Sequence, residues 1–228
     1  MLSIRPMNVF LVLAHPEPRS FNGALFREAY QLFTKQEQPV QTSDLYSMRF
    51  DPLSDRRNFT SIKDPDFFKP QIEEIHATEV GGFAPDLETE LQKLEWCDLM
   101  IWQFPLWWFG LPAILKGWAD RTFAMGRTYG NCRFYESGVF KGKRAMLSLT
   151  TGGPSADYEK GGWNGDIHSI LRPIQRGILQ FTGFSVLFPH IVYGPARHDQ
   201  AERVKELERY GARLQQIKRE EPYDVGSY

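Results

Sequence analysis

Cysteine is nearly absent. The 228 residues hold two, Cys97 and Cys132, with no C-x-x-C pair. A disulfide framework is therefore not expected, and a reducing, cytoplasmic setting fits. A surplus of either charge is missing too. Lys and Arg number 27 against 28 Asp and Glu, a formal net charge of -1, so bulk charge recruits neither nucleic acid nor an anionic membrane. No apolar run approaches the ~20 residues of a membrane span. Residues 1–14 carry one Arg and a short apolar run, but "AHPEP" follows in place of a cleavage site, so no signal peptide is expected. There is no G-x-G-x-x-G, no G-x-x-x-x-G-K and no G-x-S-x-G, which removes the dinucleotide fingerprint, the P-loop and the nucleophile elbow. The five histidines (His15, His76, His168, His190, His198) form no close pair, so no metal site is expected. Basic residues are dispersed, without an aromatic-interleaved patch.

What the chain does have is rings, at 14% aromatic, and a regular alternation of apolar runs with helical patterns. "MNVFLVLA" (Met7–Ala14) and "DLMIWQF" (Asp98–Phe104) read as strands buried on both faces. "PVQTSDLY" (Pro39–Tyr46), "KRAMLSLTT" (Lys143–Thr151) and "FSVLFPHIVYG" (Phe184–Gly194) supply three more. Pro189 inside the last makes it an edge or bulged strand. Helices are expected over Asn22–Gln36, Pro85–Cys97, Pro112–Phe123, Asp166–Gly183 and Asp199–Ile217. Pro173 and Gly177 should kink or weaken the fourth, and Asp199 with Glu202 forms a capping box for the fifth. Residues 47–84 read as a long irregular loop, and the tail from Lys218 as loose. Five strands alternating with helices predict an α/β, doubly wound, five-stranded parallel sheet with helices on both faces, built as a single domain over residues 1–228.

In such sheets ligands bind beyond the carboxyl ends of the strands. After the first strand, "HPEPRSFNGAL" enters a helix through Ser20. Its amides suit a phosphate, with His15 adding a donor, unless Ser20 only caps the helix and His15 only turns the loop. After the third strand, "PLWWFG" places Trp107, Trp108 and Phe109 at the crevice between Pro105 and Pro112. These rings suit a flat ligand, a subunit contact, or a pocket between subunits. After the fourth strand, Thr150, Thr151, Gly152 and Gly153 offer hydroxyls and close backbone approach, with Tyr158 adding a phenol; a flexible connector would use the same glycines. A flavin nucleotide has the shape for all three regions.

"VLAHPEPRSFNGAL", "QFPLWWFGLPAILKGWADR", "GVFKGKRAMLSLTTGGP", "NGDIHSILRPIQRGILQFTGF" and "RVKELE" together resemble the NAD(P)H:quinone oxidoreductases, flavodoxin-like FAD enzymes, over about Met7 to Leu214. The resemblance implies a flavodoxin-like fold, FAD rather than FMN as cofactor, NAD(P)H as electron donor, a quinone-type substrate, and a homodimer with its active sites between subunits. It implies that His15, Ser20, Phe21 and Asn22 hold the FAD pyrophosphate and ribityl region. Pro105, Leu106, Trp107, Trp108 and Phe109 line the isoalloxazine, with Trp108 and Phe109 also facing substrate. Thr150, Thr151, Gly152 and Gly153 donate along the ring edge, and Arg203 sits near the adenine and phosphate. Tyr158, Asn164 and Gly152 form the implied catalytic set. Tyr129 and Asn131 reach the substrate from the partner subunit.

Departures from the family pattern carry expectations of their own. Asn164 stands where the best-known member has a histidine, so a tyrosine–histidine charge relay is lost and Asn164 only hydrogen bonds. Lys69 replaces a glutamine, Asn131 a tyrosine and Trp107 a glutamine. Arg176 and Gln180 stand at a sister subgroup's metal-binding histidines, so no zinc is expected. The chain also stops short of the extra C-terminal domain of the longest members, which bears on the choice of donor. The resemblance implies ping-pong hydride transfer to and from N5 of the flavin. The competing readings are an ancillary flavoprotein of a potassium-efflux transporter, and a reductase of azo or nitroaromatic compounds.

Overall fold

The structure, a computed structural model, describes residues 5–226. The first four positions of the leader-free reading and the last two of the tail lie outside these residues. The central sheet is built from β1 (Val9–Leu13), β2 (Val40–Asp44), β3 (Leu99–Pro105), β4 (Arg144–Thr151) and a fifth ribbon split into β5 (Ser185–Val186) and β6 (His190–Tyr193). The order is β2-β1-β3-β4-β5, with β6 also on β4, and every pairing is parallel. This is the five-stranded flavodoxin-like order, so the fold expectation holds. Pro189 explains the split in the fifth ribbon. It lacks the N–H that an unbroken ladder needs, and Leu187 N to Ala145 O is the last bond before the gap.

All seven residues of β3 are buried, because alternate side chains serve opposite faces of the sheet. On one face, Leu99, Ile101, Val9, Leu11 and Met146 meet α1 (Phe21–Lys35) and α6 (Gln200–Gln216) through Leu25, Phe33, Tyr210 and Leu214. On the other, Phe10, Met100, Trp102, Phe104 and Leu147 meet α4 (Ala113–Thr122) and α5 (Ile167–Ile174) through Leu115, Trp118 and Leu171. This second face takes up much of the aromatic content. Trp102 meets Trp118 edge-on at 5.8 Å, and both pack on Phe123, which leads to Phe140 and Phe184.

Two sequence expectations need correction. Residues 47–84 are not an irregular loop: they contain a 3-10 turn at Arg56–Asn58 and a full helix, α2 (Pro70–Val80), ahead of α3 (Pro85–Trp96). Periodicity missed α2 because two of its buried positions are Glu73 and Glu74, not apolar residues. Its ends do carry signals, Pro70 at the first turn and Gly81 in the left-handed region at φ +70. The tail is not loose where described. The Tyr223 amide donates to Val186 O at 2.7 Å, and Val225 is buried against the core. The helix after the glycine loop is perturbed at Pro173 and Gly177, as expected: just after Pro173, α5 passes into a π-helix over Gln175–Gln180, closed by Phe181 N to Arg176 O. The capping box at Asp199 and Glu202 is present as expected.

Candidate active site

The chain leaves β1 toward β2 on one side and returns through β3 on the other. The loops after β1 and β3 therefore diverge and open a crevice at the carboxyl edge. A cavity of about 660 Å³ fills it, within the usual size of a cofactor site. Its walls come from the loop after β1 (His15, Ser20, Phe21, Asn22), the end of β3 (Pro105, Leu106, Trp107), the end of β4 (Thr150, Thr151, Gly152) and the start of α6 (Arg203). These eleven residues were all singled out from the sequence. Sequence reasoning missed Arg19, Gln200 and the apolar floor of Pro195, Val204 and Leu207. The signal for Arg19 was its place beside the cap residue; that for the floor was the 3.6-residue spacing continuing into α6.

The loop geometry orients donors inward. Ser20 Oγ accepts from Gly23 N at 3.1 Å, so the hydroxyl is engaged as a helix cap. The Phe21 and Asn22 amides, not used by this cap, remain for a ligand. His15 Nδ1 accepts from Glu17 N at 3.0 Å. The same nitrogen lies 3.2 Å from Glu17 O, so the turn fixes the ring, which leans on Trp107 with centroids 6.2 Å apart. Gly23 is required here: a Cβ would lie 2.1 Å from Pro18 O. Gly152 is open, with nothing within 4 Å of a built Cβ. Beneath the cavity Asn22 is buried. Its Nδ2 donates to Thr150 Oγ1 at 2.8 Å, and its Oδ1 accepts from Gln103 Nε2 at 2.8 Å. The Thr151 hydroxyl donates to Gly153 O at 2.8 Å, so it is not the free donor the sequence reading assumed.

Arg19, from the loop after β1, and Arg203, from the start of α6, bring positive charge to the cavity walls. Arg203 is steadied by Nε donation to Pro195 O. Arg19 holds the Glu17 carboxyl below its usual range through its amide and guanidinium. At the other end, Trp107 and Gly110 close a tight turn by reciprocal backbone bonds of 3.3 and 3.0 Å. Trp108 and Phe109 occupy its tip at φ +50 and +57. Two positive-φ residues are what a type I′ turn demands, and Asn-Gly is its usual occupant. Aromatic residues there store strain of about 1–3 kcal/mol each. The strained tip holds Trp108 at 97% exposure and Phe109 at 51%. Replacing the pair by Trp108→Asn and Phe109→Gly is expected to raise the melting temperature of the ligand-free protein. The same change should weaken retention of any flat ligand, and calorimetry with equilibrium binding reads both.

The remaining sequence-selected residues stand outside the cavity walls. Tyr158 is buried against Tyr193, with ring centroids 5.9 Å apart. Gly153 packs on Asp157 and Tyr158. Asn164 is tied by its amide to Asp157 O at 2.8 Å. Tyr129 lines a separate cavity of about 280 Å³ with Phe181 and Glu74. Burial pushes its phenol up, opposed by a bond from Gln71, and also pushes up Glu74, opposed by the Met125 amide. Asn131 sits in the left-handed region, at φ +53, in the turn joining Gly130 to Arg133. The chain thus does not bring Tyr129 or Asn131 to the walls of the main cavity. Among the described residues no helix is long and apolar enough to cross a membrane.

Residues 7–214 match the family described as having the flavodoxin-like fold. A ribosyldihydronicotinamide dehydrogenase [quinone] of Rattus norvegicus is 43% identical over 215 residues, covering 94% of this chain and 93% of the relative. NAD(P)H dehydrogenase [quinone] 1 of the same organism is 43% identical over 213 residues, covering 93% of this chain and 78% of the relative. A crystal structure of a candidate quinone reductase from Klebsiella pneumoniae superposes with a TM-score of 0.91 at 40% identity, covering 95% of this chain and 86% of that one. With the parallel 2-1-3-4-5 sheet and the crevice beyond its carboxyl edge, these matches settle the lineage: the chain belongs to the NAD(P)H:quinone oxidoreductase family of flavodoxin-like oxidoreductases.

Proposed function

We propose that the protein is an FAD-dependent NAD(P)H:quinone oxidoreductase that reduces quinones, or related flat aromatic acceptors, by two electrons in a ping-pong cycle. The observation that carries this reading is the polarity of one cavity. The amides of the α1 N-terminus, the His15 ring, Arg19 and Arg203 make part of it fit for phosphates. Trp107 gives it an aromatic wall, and the exposed rings of Trp108 and Phe109 follow at the tip of the same turn. Both arginines together favour a dinucleotide over FMN. A bound flavin would supply the hydride chemistry, accepting from a nicotinamide and passing to a quinone. The chain's own residues supply the rest. Gly152 allows an approach that a side chain would block. The Trp107–Gly110 turn excludes water from one side. Tyr158 and Asn164 bond to the ring edge and stabilise negative charge there. Tyr129 and Asn131 reach the acceptor from a second copy of this chain in a homodimer, which completes the wall that one protomer leaves open. The chain acts as one flavin-binding unit in a reducing compartment such as the cytoplasm, where Cys97 and Cys132 stay free.

The test begins with the visible spectrum of the purified protein and identification of the cofactor released by heat. NADH or NADPH is then added without oxygen, followed by a quinone. The expected result is released FAD, bleaching by at least one donor, recovery on addition of quinone, and parallel double-reciprocal lines. A protein that takes up neither FAD nor FMN would sink the reading. Convergent lines would remove the ping-pong cycle, and preferential turnover of an azo or nitroaromatic compound would replace the acceptor.

A further inference from the structure

We propose that Gln103 is a positioning residue for the bound flavin: acting through Asn22, it fixes the Thr150 hydroxyl as a hydrogen-bond donor into the cavity. The inference rests on the flavin reading above. Gln103 is 1% exposed and sits in a strand whose other members are apolar, Leu99 to Pro105. Burying a carboxamide there is costly unless its bonds are made. A structural role in the sheet would be served better by leucine.

The bonds it makes have a direction. Gln103 Nε2 donates to Asn22 Oδ1 at 2.8 Å, and Asn22 Nδ2 donates to Thr150 Oγ1 at 2.8 Å. An amide has fixed ends: once its oxygen accepts, its nitrogen faces the next group as a donor. Thr150, having received a hydrogen, keeps its own for a third partner. Among the described residues no protein acceptor takes it, and Thr150 lines the cavity. The neighbouring Thr151 behaves oppositely, using its hydrogen on Gly153 O. The chain of donors therefore runs outward, from the core to the cavity, and Thr150 ends it as a donor.

The inner end agrees. Gln103 Oε1 lacks a donor and Ser148 Oγ lacks a partner, both buried. The two residues are register partners across β3 and β4, on the same face of the sheet. A Ser148 hydroxyl turned toward Gln103 continues the same direction, with the buried Tyr210 hydroxyl, also unpartnered, as the other group it can reach. Reversing the polarity would make Thr150 donate to Asn22 and present only an acceptor to the ligand. Flavin carbonyls, unprotonated ring nitrogens and phosphate oxygens are all acceptors, so the observed direction suits them and the reverse opposes them.

The test is a double-mutant cycle on the affinity of the full-length apoprotein for FAD, read by quenching of flavin fluorescence. Thr150→Val is expected to weaken binding about tenfold, and Gln103→Met about threefold or more, the usual scale of one hydrogen bond. The double variant should bind no more weakly than Thr150→Val alone, because Gln103 acts only through that hydroxyl. In the Thr150→Ser background, which keeps the hydroxyl, Gln103→Met should regain its full effect. Melting of each apoprotein shows that it is folded, and Gln103→Leu replaces any Gln103→Met protein that is not. Losses that multiply in the double variant, or a Gln103→Met affinity within twofold of wild type, would overturn the proposal. Failure of the wild-type protein to bind FAD or FMN would instead overturn the flavin reading.

Discussion

Arg121→Met is expected to destabilise the protein by about 3 kcal/mol, lowering the melting temperature by roughly 6–12 °C for a chain of this size. Arg121 leaves α4 and is almost fully buried. Its Nε donates to Asn58 Oδ1 at 2.7 Å, its Nη1 to Asp51 O at 2.7 Å, and its Nη2 to Asp86 Oδ2 at 3.1 Å. The guanidinium also lies over the Phe50 ring, 4.8 Å from its centroid. One side chain thus ties α4 to two parts of the 47–84 segment, at Phe50–Asp51 and at Asn58, and to α3. Methionine fills most of the volume but leaves the buried Asn58 Oδ1 and the part-buried Asp51 O without a donor, at about 1–3 kcal/mol for a fully buried group. Asp86 sets the control. Its side chain is 55% exposed, so Asp86→Asn should cost little. A loss below about 1 kcal/mol for Arg121→Met would show that the segment is held by its apolar contacts, Phe59, Phe83 and the Gly117 approach to Pro52, and not by the arginine.

Acid should act through His190. This residue of β6 is buried, stacks on Tyr210 with centroids 4.4 Å apart, and leaves Nε2 without a partner. Burial pushes its imidazole down to about 3, and Arg213 and Arg209 push the same way. The folded value lies below the unfolded one, so below pH 6.5 the unfolded chain binds the extra proton. Stability attached to this group is intact above pH 6.5 and is lost as pH falls toward about 3. By pH 4.5 the loss amounts to about 3 kcal/mol. His190→Phe keeps the stack on Tyr210 and removes the proton site. Denaturant unfolding across pH 4.5–7 should therefore show a flatter acid limb for the variant, with no change at pH 7 beyond repacking. Equal slopes for the two proteins would place the acid sensitivity elsewhere.

Much of this protein was legible before any coordinate. Apolar runs with no polar alternation, such as "VFLVL" and "LMIWQFP", can be stable only in a sheet covered on both faces, and that requirement dictates the doubly wound architecture. The rule that ligands gather beyond the carboxyl ends of parallel strands then located the cavity, because residues just after a strand are local in sequence. What escaped was set by contacts between distant segments. Helix α2 hid because its buried positions are glutamates, Glu73 satisfied by the Lys63 and Asp64 amides and Glu74 by that of Met125. The tail from Lys218 looked loose because its anchor is an edge strand more than thirty residues away. Gln103 carried no expectation from the sequence, because its partner, Asn22, lies 81 residues away. The sequence by itself determined the elements, their layering and the edge at which a ligand sits, because local periodicity encodes burial. Only the tertiary structure decided the direction of the Gln103–Asn22–Thr150 chain, the Arg121 anchor and the neutral His190, because each depends on groups that no local pattern brings together.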